Sequence, residues 1–241
     1  MGRWLDRYLH VDQLETWVIL FGLGTRGRQD PDVHDWDDIV AVVTETMRRA
    51  RRNVQRLVEL LPAAGWQFKA PKNVHVPPPE GIENDLDALE GEIGRLPLAL
   101  RLWLEEVGTV SLEGTHEGWG YDLVDYLQVE TSVAEIRREY ADWQDARDRG
   151  WKWPFRISIA PDFLHKNDVG GGAAYSLEAP DDKVDGFLWN EYHQTTFVNY
   201  LRIAFSWGGL LGWDRPGPPS ERYHGSPPQV LREIASQLEP I

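Results

Sequence analysis

Residues 82–114 (IENDLDALEGEIGRLPLALRLWLEEVGTVSLEG) constrain the fold of this chain more than any other stretch. Ile82, Leu86, Leu89 and Ile93 recur at steps of four, three and four, the single stripe of an amphipathic α-helix. Every charged residue between them is acidic: Glu83, Asp85, Asp87, Glu90 and Glu92. A Leu-Pro step breaks the pattern, and Pro97 suits the first turn of a second helix, where its missing N–H costs nothing. From 98 to 107 the apolar residues lie nearly all round, so this second helix is expected to be buried. Gly108 is placed to end it in a left-handed turn, and residues 109–112 then read as a strand. The stretch carries no catalytic, metal-binding or phosphate-binding pattern. It is a folding signature, and it directs attention to binding rather than to chemistry.

The remaining elements fall on either side of it. The longest helix is expected over residues 35–61, with Ile39, Val43, Met47, Val54, Leu57, Val58 and Leu61 as its apolar positions. Asp35, Asp37 and Asp38 sit at its positive end, and Pro62 and Gly65 close it. Residues 4–21 are mixed and finish in an apolar run, 17–21, that fits either a strand or a helix end; residues 22–30 read as a loop. The Pro-rich residues 69–79 mark the best candidate boundary. Further strands are expected around 126–129, 156–160, 173–177 and 186–190. Ser132 and Glu135 have capping-box spacing at the start of a helix over 133–147. An amphipathic helix over 195–207, a Gly/Pro-rich stretch over 208–226 and a terminal helix over 228–238 complete the chain. Helices flanking a run of strands joined by short turns predict an α+β fold with a largely antiparallel sheet. The expected organisation is an N-terminal helical extension over 1–74, an α+β core over 75–213, and a Pro-rich loop with a C-terminal helix over 214–241.

A chain of 241 residues can bury about 70% of the surface that its unfolded form exposes. The absence of cysteine excludes disulfides, thiolate zinc sites and cysteine catalysis. No stretch approaches the roughly 18–20 apolar residues of a membrane span. Asp6, His10 and Asp12 interrupt any Sec-type leader, so a cytoplasmic protein is expected. The net charge of −14 is unevenly placed. Residues 1–69 balance at ten acidic and ten basic side chains, whereas 70–241 hold 29 acidic against 15 basic. Such a surface repels nucleic acid and attracts cationic partners over a distance; its plainer use is to keep the protein soluble. Twelve tryptophans are many for this length, and some are expected at an interface, where Trp is enriched.

Several local patterns invite chemistry and do not sustain it. Gly22, Gly24 and Gly27 spell G-x-G-x-x-G, but Gly27 leads into Arg28-Gln29-Asp30-Pro31 rather than into a phosphate-holding helix. Asp30, Asp32, His34, Asp35, Asp37 and Asp38 crowd nine residues, yet lack the glycine and the final glutamate of a calcium loop. Arg48, Arg49, Arg51 and Arg52 form a basic knot that is better suited to docking on the chain's own acidic part or on a protein than on DNA. No local metal-binding histidine pair occurs. Glu191 and His193 with Asp185, or His165 and Asp168 beside Gly170-Gly171-Gly172, have the residue types of an acid/base set, and an enzyme would need a cleft built from His165, Asp168, Glu191 and His193, whose proximity is not readable from spacing. No cofactor and no metal is expected.

The stretch 82–114 also resembles the SUKH superfamily, the Smi-one/Knr-four-like proteins. The resemblance rests on Leu89-Glu90-x2-Ile93-Gly94, then Leu96-Pro97, the buried helix to Val107-Gly108, and residues 110–114. It continues through residues 126–129 and 157–163, Gly170-Gly171-Gly172 before Tyr175, and Gly186-Phe187-Leu188-Trp189. Thr196-Phe197-Val198-x-Tyr200-Leu201 and Trp207-Gly208-Gly209 look like a bacterial subgroup, and the likeness covers about residues 75–213. The resemblance implies a twisted sheet with helices packed against it and no catalytic residues. It also implies, for a bacterial member, an immunity protein that neutralises a toxin such as a nuclease. Residues 1–70 depart from the minimal pattern of the family and read as an added helical layer. The expected function is therefore non-enzymatic protein binding through an acidic surface. The alternatives are a regulatory interaction module without a toxin partner and, less favoured, an enzyme. Glu113, Glu117, Asp122 and Asp125, with Trp119 as an anchor, form the first candidate surface; Glu83, Asp87 and Glu90 form the second.

Overall fold

In the computed structural model, which describes residues 2–24, 36–119, 125–168, 170–211 and 228–241, hydrophobic periodicity has become helix wherever it was long. The chain begins with α1 (Arg3–His10), α2 (Gln13–Gly24) and α3 (Trp36–Ala63), then the short strands β1 (Gln67–Phe68) and β2 (His75–Val76). Next come α4 (Ile82–Ile93), α5 (Leu98–Glu106), β3 (Thr109–Ser111), β4 (Gly114–Thr115), β5 (Gln128–Val129) and α6 (Val133–Asp148). The last part holds β6 (Arg156–Ala160), a 3-10 turn (His165–Asn167), β7 (Tyr175–Glu178), β8 (Leu188–Trp189), α7 (Phe197–Ser206) and α8 (Gln229–Ala235).

The fold is α+β with an N-terminal helical part, and among the described residues every strand pair is antiparallel. The strands form three small sheets: β1-β4, β2-β3-β5 and β6-β7-β8. Val110 faces His75 and Val129, and Leu177 lies between Ile157 and Leu188. Val110, Val129, Ile157, Leu177 and Leu188 are all fully buried. One backbone bond, from Glu130 N–H to Ile159 C=O (3.1 Å), bridges the two three-stranded sheets. The β1–β4 pair just before the Pro-rich residues 69–79 and the β2–β3 pair within them stitch this part to the strands that follow α5. No helix among the described residues is long and apolar enough to cross a membrane.

Helix α4 buries Ile82, Leu86, Leu89 and Ile93, as their spacing requires. Helix α5 buries Ala99, Leu100, Leu102, Trp103 and Leu104, with Trp103 edge-on to Phe197 of α7 at 5.7 Å. The first amides of α5 have no partners within the helix. They donate to the carbonyls of Lys183 (from Leu98) and Val184 (from Ala99), each at 2.9 Å. At α6, the Ser132 hydroxyl accepts from the Glu135 amide (3.3 Å), the N-cap that its sequence announced, and donates to the Glu135 carboxylate (2.9 Å).

At the N-terminus the structure takes the helical of the two alternatives open for 17–21 and departs from the loop expected from residue 22. The run 17–21 lies inside α2, and Gly22 and Gly24 are helical rather than part of a loop. They therefore form no phosphate cradle, and Gly27 lies outside the described residues. The reason is tertiary: Trp17 and Leu20 are buried one turn apart, and Trp17 Nε1 donates to Thr46 Oγ1 of α3 (3.1 Å). Asp38, placed by sequence at the start of α3, also serves α1. Its carboxylate accepts from the amides of Trp4 (2.7 Å) and Leu5 (3.1 Å), as an N-cap does. The basic knot binds within the chain. Arg48 and Arg51 reach Glu106 at the end of α5 (3.0 and 3.5 Å), Arg49 pairs with Glu45 (3.1 Å), and Arg52 pairs with Glu239 (2.7 Å).

Two glycines provide a test of these local requirements. Gly108 has φ +88°, and a Cβ there would stand 2.2 Å from the Val76 carbonyl oxygen. Gly91 lies in the interior of α4 with open space around it. Gly108→Ala should lower the unfolding free energy by about 2 kcal/mol or more. Gly91→Ala should raise it by about 0.5–1 kcal/mol. Urea unfolding midpoints of the two variants check both signs.

Candidate functional site

The break between α4 and α5 creates a groove. Glu83, Asp87 and Glu90 lie at i, i+4 and i+7, so they share one face of α4. Glu90 turns into the break, where one carboxylate oxygen accepts from the Leu96 amide (2.9 Å). Its other oxygen accepts from Arg101 of α5 (2.8 Å). Arg101 also pairs with Asp87 (2.8 Å) and with Glu105 one turn along (3.0 Å). Trp36 and Asp37 at the start of α3 line the groove, as do Arg95 and Asp182, giving a volume of about 350 Å³.

Charge in this groove does not balance. Asp37, Asp87, Glu90, Glu105 and Asp182 stand against Arg95 and Arg101. Burial pushes the Glu105 carboxyl above its ordinary range. Glu83 and Asp87 add to that push, while Arg101 opposes it. Despite its own burial, the Arg101 guanidinium is held above its ordinary range by Glu90, Asp87 and Glu105. A cation entering here meets carboxylates already brought together, so much of the cost of assembling them has been met during folding. Chemically, the arrangement can receive a lysine or arginine side chain.

The structure thus brings Asp87 and Glu90 into the groove, leaves Glu83 on the same face of α4 within electrostatic reach of Glu105, and adds Arg101, Glu105, Arg95 and Asp182, which sequence reasoning missed. The i, i+4 spacing of Arg101 and Glu105 was a usable signal. Asp182 offered none, because it arrives from a turn remote in sequence.

The other candidate surface is not assembled as expected. Glu113 is paired with Lys69 (2.6 Å), and Glu117 is exposed. Trp119 is partly buried, stacked on His116 at 4.0 Å and near Trp66 at 5.7 Å, so its ring holds its own loop. Asp122 lies outside the described residues. Asp125 is a correction: it is 3% exposed and belongs to the interior. Its carboxylate accepts from Lys166 Nζ (2.7 Å) and from the Tyr175 hydroxyl (2.9 Å). Lys166, itself buried, also donates to the Tyr126 carbonyl (2.8 Å) and lies 4.9 Å from the Tyr175 ring centroid. The pair ties the 3-10 turn to the approach to β5.

The residues of the acid/base alternative occur in local pairs. His165 Nδ1 meets Asp162, and His193 Nδ1 meets Glu191 at 2.6 Å. Against the upward push of burial, the His165 ring and the amides of Leu164 and His165 hold Asp162 below the usual carboxylate range. Asp168 is the left-handed residue that closes the 3-10 turn. Of the acidic run 30–38, Asp30, Asp32, His34 and Asp35 lie outside the described residues; Asp37 faces the groove and Asp38 caps α1. Among the described residues no group of three or more His, Asp or Glu side chains could hold a metal. Comparison of the chain with protein-family models, with curated proteins and with solved structures gives no match.

Two buried carboxylates have consequences for stability. Lys166→Met would leave Asp125 charged and unpaired in the interior, at a cost of about 3–5 kcal/mol. Lys166→Met combined with Asp125→Leu should recover most of that loss, and denaturant unfolding of the single and double variants measures both. Asp185 accepts from the Val198 amide at the first turn of α7 (3.3 Å to each oxygen). Burial raises its carboxyl from the ordinary 3.8 to about 6, against hydrogen bonds from Thr196 and Val198. The folded form therefore holds this proton more tightly than the unfolded chain. The stability it contributes is whole below about pH 4 and is lost as pH rises through about 6. Asp185→Asn should gain on the unaltered protein by up to about 3 kcal/mol between about pH 4 and pH 7. A difference in unfolding free energy that stays constant with pH would refute this.

Proposed function

We propose that this protein is a non-enzymatic protein-binding domain whose partner is a basic bacterial toxin, and that binding neutralises the toxin. The observation that carries this reading is the surplus of carboxylates in the groove between α4 and α5, where burial, with Glu83 and Asp87 adding to it, holds the Glu105 carboxyl above its ordinary range against Arg101. An enzyme that cleaves nucleic acid presents cations to phosphate. A surface of preassembled carboxylates can occupy the same cations, with fast association that weakens as salt rises. The resemblance of residues 75–213 to bacterial immunity proteins supports the choice of partner. The net charge of −14 supports attraction at long range.

Co-expression with the toxin encoded beside this gene tests the reading. The unaltered protein should restore growth. The combined Glu83→Gln, Asp87→Asn and Asp182→Asn variant should restore it poorly and bind the purified toxin at least about tenfold more weakly, with a shallower dependence on salt. Toxicity that persists with the unaltered protein would sink the toxin as partner. Unchanged affinity in the triple variant would sink the groove as the place where it binds.

A further inference from the structure

Different elements build a second concave surface, of about 550 Å³. Glu139, Asp142 and Trp143 of α6 line it, together with Trp151, Trp153 and Arg156 from the turn after α6 and the start of β6. Trp151 is 54% exposed and Trp153 is 65% exposed, although indoles are among the most costly side chains to leave in water. The backbone that carries them is tied down. The amides of Gly150 and Trp151 donate to the carbonyls of Arg147 and Ala146 (2.8 and 3.0 Å), and Trp143 Nε1 donates to the Trp153 carbonyl (2.9 Å). Beneath them Tyr140, Trp143 and Phe155 form a packed ring layer, with centroids 5.1–5.8 Å apart. The two indoles are thus held outward on an anchored platform.

The charges around the platform indicate what fits it. At its rim the chain's own guanidinium groups already lie on tryptophan faces: Arg147 over Trp143 at 5.0 Å and Arg156 over Trp189 at 4.1 Å. Arg156 is the sole basic lining residue, and it is engaged there and 3.9 Å from Glu178. Among the described residues no cation and no ring faces Trp151 or Trp153, and Asp142 has no ion pair. Glu139 gives one oxygen to the Ser158 amide (3.0 Å) and keeps the other. Open π faces beside two carboxylates are complementary to a flat cation that can stack and donate hydrogen bonds at once. A guanidinium does both, whereas an ammonium is a compact, strongly hydrated charge.

We propose that this cleft is a docking site for an arginine-bearing segment of a partner protein, stacked on Trp151 and Trp153 and hydrogen-bonded to Asp142 and Glu139. It is separate from the acidic groove and does not depend on the reading given to it. Calorimetric titration with a short Gly/Ser peptide carrying three arginines, and with its lysine counterpart, at about 150 mM salt tests it. The unaltered protein should bind the arginine peptide more tightly than the lysine peptide. Trp151→Ala with Trp153→Ala should weaken binding about tenfold or more, and Asp142→Asn should weaken it severalfold. In a Glu83→Gln, Asp87→Asn background, which weakens the acidic groove as a competing cation site, the preference for arginine and the loss on removing both indoles should persist. Both indoles are exposed, so the unfolding midpoint of the double Trp variant should match that of the unaltered protein. Absence of binding, equal affinity for the two peptides, equal affinity in the double Trp variant, or binding of a neutral glucose hexamer in place of the arginine peptide would each overturn the proposal.

Discussion

Helix α5 is apolar on nearly every side, so it can exist only when covered, and the rest of the molecule is arranged to cover it. Trp103 meets Phe197 of α7. The helix start is docked on the carbonyls of Lys183 and Val184, and the helix end is held by Arg48 and Arg51 of α3 through Glu106. Each contact comes from a part of the chain far away in sequence. The four-residue stripe of α4 adds a further wall, and Gly108 lets the chain leave α5 where a side chain would strike the Val76 carbonyl.

Ionic contacts sort the acidic excess. Arg48, Arg49, Arg51 and Arg52 of α3 are engaged within the molecule, with Glu45, Glu106 and Glu239. Asp125 is neutralised in the interior by Lys166, whose charge needs a partner for the same reason. Part of the surplus that remains gathers where α4 and α5 meet, and Arg101 is shared there among three carboxylates. The aromatic excess is sorted in a comparable way. Trp17, Trp66 and Trp103 are interior, whereas Trp151 and Trp153 are held at the surface by a turn that has no freedom to bury them. The two concave surfaces differ accordingly, one ruled by charge and the other by flat rings beside charge.

Much of this was legible in the chain, where a pattern repeats often enough to exclude other structures. The stripe Ile82, Leu86, Leu89 and Ile93, the long helix with Met47 and Leu57 inside, the Ser132–Glu135 cap and strand 156–160 all stand as their spacing implied. Within the groove, the shared face of Glu83, Asp87 and Glu90 was legible because it is helix geometry. The burial of Asp125 was not, since Lys166 and Tyr175 come to it from 41 and 50 residues away. Likewise β1 and β2 are two residues long, too short for alternation to register, and are strands only because β4 and β3 pair with them.

Local sequence by itself determined helix faces, helix ends and the sign of the surface charge, because these depend on residues within a turn or two of one another. Tertiary structure alone decided that 17–24 is helix, that Glu90 faces Arg101, that Asp125 is interior and that Trp151 and Trp153 stay outside. Those outcomes depend on which distant groups compete for the same volume, hydrogen bond or charge, and that competition exists only once the chain has closed on α5.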